Sequence, residues 1–392
     1  MIFFFSMYQK KIKYKEMKII VLGAGLVGTP MALDLHKDKK FEVWLVDRDE
    51  QKLIRAKECG VNCKVADLMA NGILEELVKD ADFIINALPG EIGFKSLTRA
   101  IKAGKSGVDI AFYPNDYRAL QSLAEDNHVC WVVDMGVAPG MSNLLSAYGT
   151  TQLDATDDIK IYVGGLPKDK SSYWQYKAPF SPSDVIAEYT RPARFIRNGE
   201  IVIMPALTER ELLDFPVVGK LEAFNSDGLR SLMYNLKVPN MIEKTLRYPG
   251  YIDKIIALKE SGAFSEEKII IDGKKISPLS LTSALLFEQW KLNSQDEEFT
   301  VMQIIISGQK GGVNRTITYD LYDEHCRESN IHSMARTTGF TATVVLRQMI
   351  AGNISAIGVH APEILAFDSD LVEHILKGLA ERGVVYKKTI SN

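Results

Sequence analysis

Over roughly the first third of the chain, apolar positions fall in short unbroken runs separated by amphipathic segments. Ile19-Ile-Val-Leu22 is an apolar run of the kind buried on both faces of a sheet. Behind it Val27, Met31 and Leu35 recur every four residues, one stripe of a helix. The same rhythm continues: a strand over 41–46, a helix over 50–59 and a strand over 61–65. A helix over 68–78 and a strand over 82–89 follow, then a helix over 94–103 stopped by Gly104. Strands over 107–111 and 129–134 flank a helix over about 117–127. Strands alternating with helices in this way predict a Rossmann-type, doubly wound parallel α/β sheet.

From Ala155 the pattern changes. Residues 159–163 alternate as a strand with one buried face and run into Gly164-Gly-Leu-Pro167. Further strands are predicted over 193–196, 200–204, 301–307 and 313–321, the last two as a hairpin around Gly308 to Gly312. Helices are predicted over 181–189, 251–259 and 280–290. The fold expected is an inserted α+β domain built on a mostly antiparallel sheet. An apolar helix over 335–351 then returns to cover the first domain. The expected organisation is an extension over 1–16, a dinucleotide-binding domain over 17–143, a substrate and dimerisation domain over 144–332, and a return segment over 333–392. The crevice between the domains is the expected ligand site.

Composition adds bounds. The length, 392 residues, suggests two or three domains. A net charge of −3 gives no reason to expect nucleic acid or an anionic membrane as partner. Four cysteines without a C-x-x-C read as reduced thiols of a cytoplasmic protein. No apolar run is long enough to span a bilayer. In residues 1–16 the apolar stretch precedes the lysines, the reverse of a signal peptide, so a misassigned start or a floppy extension is expected there. The six histidines form no H-E-x-x-H or H-x-H, and no metal is expected.

The chemistry begins at Gly23-Ala-Gly25-Leu26-Val27-Gly28, a G-x-G-x-x-G between the first strand and the first helix. The first glycine allows the tight turn, the second lets a pyrophosphate approach, and the third lets helix and strand pack closely. The helix N-terminus offers free N–H groups to the phosphate. Asp47 ends the second strand, where a carboxylate accepts from ribose hydroxyls and favours NAD over NADP. Arg48 beside it keeps NADP open as a partner for a 2′-phosphate. Asp67 is placed beside the adenine or as a helix cap, and Asn86, Ala87 and Leu88 reach the crevice from the fourth strand. Asp134 is a candidate general base or orienting carboxylate, with a strand-end Asp bonded to nearby backbone as the competing reading. Asp109 and Tyr113 end the neighbouring strand, more simply as structural residues than as catalysts. In the second domain, Asn225-Ser-Asp227-Gly-Leu-Arg230 and Thr245-Leu-Arg247-Tyr248-Pro-Gly250 concentrate polar groups in expected loops, where Arg230 and Arg247 suit a carboxylate. Solvated surface arginines are the competing reading.

Val21-Leu-Gly-Ala-Gly-Leu-Val-Gly28, Val137-Ala-Pro-Gly-Met-Ser-Asn143, Gly164-Gly-Leu-Pro167, Ser181-Pro-Ser-Asp-Val-Ile-Ala-Glu-Tyr189, Thr245-Leu-Arg-Tyr-Pro-Gly250 and Ala335-Arg-Thr-Thr-Gly-Phe-Thr-Ala342 together resemble the saccharopine dehydrogenase and lysine 6-dehydrogenase family over nearly everything from Met17 to about Phe367. The resemblance implies NAD(P)-dependent oxidation at a C–N bond of saccharopine, lysine or a related amino acid. It implies hydride transfer to the nicotinamide and hydrolysis of the iminium by water. Ala138 stands where the saccharopine-forming reductases resemble one another in an Asp, and Ser226-Asp-Gly-Leu-Arg-Ser231 where lysine 6-dehydrogenases have a Ser/Gly/Thr-rich loop. Arg230 would suit a second substrate carboxylate, as saccharopine has. A homodimeric enzyme with a small amino-acid substrate is the leading expectation. Lysine 6-dehydrogenase and a non-catalytic NAD(H) sensor are the alternatives.

Overall fold

The computed structural model describes residues 16–392, so the expectation for the N-terminal extension lies, Glu16 aside, outside the described residues. The first sheet takes β1 (Met17–Leu22), β2 (Phe41–Asp47), β3 (Asn62–Val65), β4 (Phe83–Asn86), β5 (Ser106–Asp109) and β6 (Cys130–Val132). Between them run α1 (Gly28–His36), α2 (Glu50–Glu58), α3 (Ile73–Val78), α4 (Gly90–Lys102) and α5 (Gln121–Asp126). Every pairing in this sheet is parallel, and its spatial order is β6-β5-β4-β1-β2-β3 with one later strand outside β6. Ile19, Val21 and Leu22 are fully buried, as an apolar run in a central strand must be.

The chain crosses to the second domain through α6 (Met141–Thr150) and β7 (Ala155–Pro167). There follow α7 (Pro182–Thr190), β8 (Ala193–Arg197), β9 (Glu200–Met204), β10 (Glu211–Phe215), β11 (Gly219–Asn225), α8 (Leu232–Asn235) and β12 (Asn240–Arg247). Then come α9 (Tyr251–Glu260), the small hairpin β13 (Ile269–Ile271) and β14 (Lys274–Ile276), and α10 (Pro278–Gln289). The long hairpin β15 (Glu298–Lys310) and β16 (Val313–Glu324) follows. Apart from β13 and β14, which pair only with each other, these eight strands and a last one, β18 (Tyr386–Ser391), form a nine-stranded mixed sheet in which β12 and β7 run parallel and the other pairs antiparallel. One expectation needs correction here: Thr245 and Arg247 lie in β12, a central strand between β11 and β7, and not in a loop. Polar residues are tolerated there because one face of β12 lines a cavity.

The return segment divides between the two sheets. Helix α11 (Ser333–Ile350) packs on α1, and β17 (Gly358–His360) extends the first sheet beside β6. After α12 (Ser369–Ala380), β18 (Tyr386–Ser391) pairs with β16 at the edge of the second sheet, which the sequence reading did not anticipate.

One buried acid ties this return to the first domain. Asp34 of α1 is 3% exposed and accepts from Thr343 Oγ1 (2.6 Å) and Arg347 Nη1 (2.7 Å) of α11, and from Arg382 Nε (2.9 Å). Burial alone would raise its carboxyl, but the two guanidiniums and the hydroxyl outweigh burial and hold it below its ordinary value of 3.8. A carboxylate with a depressed pKa contributes stability above its unfolded-state pKa, and that contribution is lost as pH falls through the folded-state value. Asp34→Asn should therefore destabilise the protein by about 3 kcal/mol at neutral pH. Urea unfolding should show the gap between wild type and variant closing as the pH drops below 3.8.

Candidate functional site

A cavity of about 640 Å³ lies between the carboxyl ends of the first-sheet strands and β12 of the second sheet. On the first-domain side it is lined by the glycine loop, Asp47, Ala87 to Pro89, Ile110 to Phe112 and Gly136 to Pro139. This is the crevice in which open α/β sheets bind ligands.

The glycine loop is built for close approach. Gly23 has φ 101°, open to glycine and strained for other residues, and donates its N–H to Val46 O at 2.8 Å. A Cβ on Gly28 would stand 1.9 Å from Gly23 O, so loop and helix touch only because it is absent. Around Gly25 nothing lies within 4 Å of where a Cβ would be, leaving the space a pyrophosphate needs above the start of α1. These residues fit a dinucleotide. Asp47 is half-buried at the same end, its Oδ2 accepting from Ala24 N (2.8 Å) and its Oδ1 from Asp49 N (2.9 Å). It thereby also braces the loop.

Of the other residues expected at the cofactor, Leu26, Val27, Ala87 and Leu88 line the cavity. Arg48 does not; it is exposed at the end of β2, and the basic residues that do line that end are Lys52 and Arg55 of α2. Asp67 is exposed and caps the following turn through Met69 N at 2.9 Å. Asn86 is fully buried beneath the cavity floor, donating to Asp109 Oδ1 (2.6 Å) and Gly93 O (3.0 Å). Burial, with the Asp134 charge adding to it, pushes the Asp109 carboxyl far up.

The residues expected to perform catalysis stand elsewhere. Asp134 and Arg230 form a bidentate pair, Nε to Oδ2 at 3.0 Å and Nη2 to Oδ1 at 2.9 Å, with side chains 3% and 6% exposed. Arg230 Nη1 also donates to Tyr113 O at 2.7 Å, and its guanidinium lies 5.0 Å from the Phe112 ring centroid. Asp134 and Arg230 both have φ 52°, a left-handed backbone costing about 1 kcal/mol or more at each and kept by the contacts around it. None of Asp134, Tyr113 and Arg230 lines the large cavity; Asp134 and Arg230 line a small pocket of about 60 Å³, and Arg230 holds a carboxylate of the protein itself. Tyr248 is also off the cavity, its hydroxyl donating to Pro167 O at 2.9 Å.

From the second domain the cavity is faced by β12, with β7, α7 and the loop after β11 beside it. Glu243, Thr245 and Arg247 alternate onto the lining, while Lys244 between them points away to Glu209 O and Glu211. Arg247 is 2% exposed, held by Glu188 Oε2 (2.7 Å) and the hydroxyls of Tyr189 (3.2 Å) and Tyr176 (3.4 Å). Burial raises the Glu188 carboxyl and Arg247 counters part of that rise. Asp227 lines the cavity with both oxygens on Arg194, at 2.8 and 2.9 Å. Glu243 is 4% exposed, its Oε2 accepting from Ser226 Oγ (2.8 Å) and Gly228 N (3.1 Å). Burial pushes its carboxyl up to about 8. The sequence reading missed Glu243 and Glu188, although polar residues at 243, 245 and 247 carry the period of two that marks a strand face.

The placement of Asp134 has a measurable consequence. Asp134→Ala or Arg230→Ala strands one buried charge and should cost about 3–5 kcal/mol in chemical unfolding. The double variant should cost less than the two single losses added together. A proton acceptor would instead show a large drop in turnover with unfolding unchanged.

Comparison with known proteins accords with this geometry. Residues 19–132 match the family model described as the saccharopine dehydrogenase NADP binding domain, and residues 136–384 that described as the saccharopine dehydrogenase C-terminal domain. A mouse alpha-aminoadipic semialdehyde synthase is 25% identical over 279 residues, which are 67% of this chain and 30% of that relative. The chain thus spans less than a third of that protein's length. Carboxyaminopropylagmatine dehydrogenase of Synechocystis is 24% identical over 95% of this chain and 98% of its own. Among solved structures, apo saccharopine dehydrogenase (L-Glu forming) from Saccharomyces cerevisiae superposes with a TM-score of 0.80 at 18% identity, over 96% of this chain and 100% of that one. At that identity the likeness speaks for the fold alone. The first domain is an NAD(P)-binding domain, and with both of its parts matched the chain belongs to the saccharopine dehydrogenase family.

Proposed function

We propose that the protein is an NAD(P)-dependent oxidoreductase acting at a C–N bond of an amino-acid derivative, saccharopine or a lysine-like compound. The observation that carries this reading is a single cavity lined both by a dinucleotide loop and by a buried, hydrogen-bonded arginine. A nicotinamide cofactor supplies the hydride acceptor when bound.

The chain's own residues then have distinct tasks. The glycine loop and the start of α1 receive the pyrophosphate. Ala111, Phe112 and Leu88 give the cavity an apolar lining that excludes water from the reacting carbon. Arg247 holds a substrate carboxylate, with Glu188 and two tyrosines fixing its plane. Asp47 favours NAD, because a 2′-phosphate would meet its carboxylate.

The test is a panel of saccharopine, L-lysine and related amines, each with NAD and NADP. The expected outcome is reduction of the dinucleotide with at least one amine and a higher kcat/KM for NAD. Asp47→Ser should shift the preference towards NADP by about tenfold or more, a change of about 1.4 kcal/mol. NADH binding without turnover across the panel would support a sensor instead, and a strong NADP preference in the wild type would overturn the role given to Asp47.

A further inference from the structure

We propose that Glu243 anchors a cationic nitrogen of the substrate, so that the substrate carries an ammonium or guanidinium group remote from the carboxylate held by Arg247. The assignment rests on the oxidoreductase reading only for joining these two groups in one molecule; cation binding itself is a property of the cavity.

The argument starts from charge pairing. Four carboxyl-bearing residues of the second domain line this cavity, Asp184, Glu188, Asp227 and Glu243, and Asp184 is bound by the Gly90 amide and by Ser181 at the start of its own helix. Glu188 has Arg247 and Asp227 has Arg194. Among the described residues Glu243 has no ion pair, although it is 4% exposed and lines the cavity. A buried carboxyl without a countercharge is costly, and a bound cation is the missing partner.

The local build holds this group in place. Ser226 and Gly228 N both take Oε2, which leaves Oε1 without a protein donor. Ser226 is itself fixed by Thr245 Oγ1 at 2.7 Å. A Cβ on Gly228 would come within 2.3 Å of the Glu243 carboxyl, so the loop rests directly on it. Glu243 and Arg247 lie on the same face of one strand, their Cα atoms about 13 Å apart at some 3.3 Å per residue. An extended chain with a carboxylate at one end and a cation at the other matches that trough.

Burial, opposed by Ser226, with the charges of Glu188 and Asp227 adding to it and the Gly228 amide again opposing, sets the carboxyl at about 8. Cation binding then requires the carboxyl to lose its proton to solvent, and affinity should rise with pH. Between pH 7 and pH 9 the ionised fraction of a group titrating at about 8 increases about tenfold.

The experiment is calorimetric titration of the full chain with agmatine, cadaverine and glutarate at pH 7 and pH 9. Agmatine and cadaverine separate guanidinium from ammonium recognition, and glutarate reports the Arg247 end. The expected result is that at least one cation binds, about tenfold more tightly at pH 9. Glu243→Gln should weaken that binding at least tenfold and flatten its pH dependence while glutarate and NADH binding persist. Affinity for the cations that falls with rising pH, an unchanged affinity in E243Q, or no binding of either cation would overturn the proposal. Should E243Q fail to fold, Ser226→Ala and the wild-type pH dependence decide the same question. Cation binding with no turnover of any amine would remove the oxidoreductase reading and leave the subsite. Efficient oxidation of saccharopine with no cation binding would do the reverse.

Discussion

Beside the apolar core that the two sheets share, one buried ion pair joins the two domains next to the cavity. Asp134 lies just beyond β6 and Arg230 between β11 and α8, so their bidentate contact fixes the second domain to the carboxyl edge of the first. Around it the polar groups are also committed. Asn143 donates to Ser231 Oγ (3.2 Å) and Glu363 Oε2 (3.4 Å), and Asn235 donates to Glu363 Oε1 (2.7 Å) and Tyr117 Oη (3.1 Å). A pair this buried recovers its desolvation only with good geometry and further hydrogen bonds, and both are present. Because it grips Tyr113 O and lies beside Phe112, it also sets the position of the cavity floor.

The first sheet was legible because its central strands β1 and β4 are apolar runs set in a regular alternation with helices, and the glycine loop because its spacing has a mechanical reason at each position. The hairpin of β15 and β16 showed in the same way through alternation interrupted by glycines. Strand β12 was not legible. Its cavity face carries Glu243, Thr245 and Arg247, and a polar stripe on a central strand looks like a loop until the cavity beside it is known. The terminal strand β18 stayed hidden for a related reason: it is a mostly exposed edge, with Lys387, Lys388 and Thr389 in place of an apolar pattern.

Arg230 shows where chemistry read from sequence runs out. It was expected to hold a substrate carboxylate, and the carboxylate on it is Asp134, 96 positions earlier in the chain. No local pattern distinguishes a guanidinium that meets a ligand from one that meets its own fold. Asp227 and Arg194 make the same point, 33 positions apart. Pairing over such separations is decided by topology, which brings β8 against β12 and the β11 loop over both.

Charge in this molecule therefore divides by accessibility. Asp34 and Asp134 are saturated by arginines away from the cavity, and they hold elements together. At the cavity, Arg247 and Glu188 keep a paired but reachable charge, whereas Glu243 is fixed through one oxygen only. An unsatisfied buried acceptor costs about 1–3 kcal/mol. Asp109 and Glu298 also leave one oxygen unpartnered, but away from the cavity, so what separates Glu243 from them is that its incomplete partnering faces a space a ligand can enter.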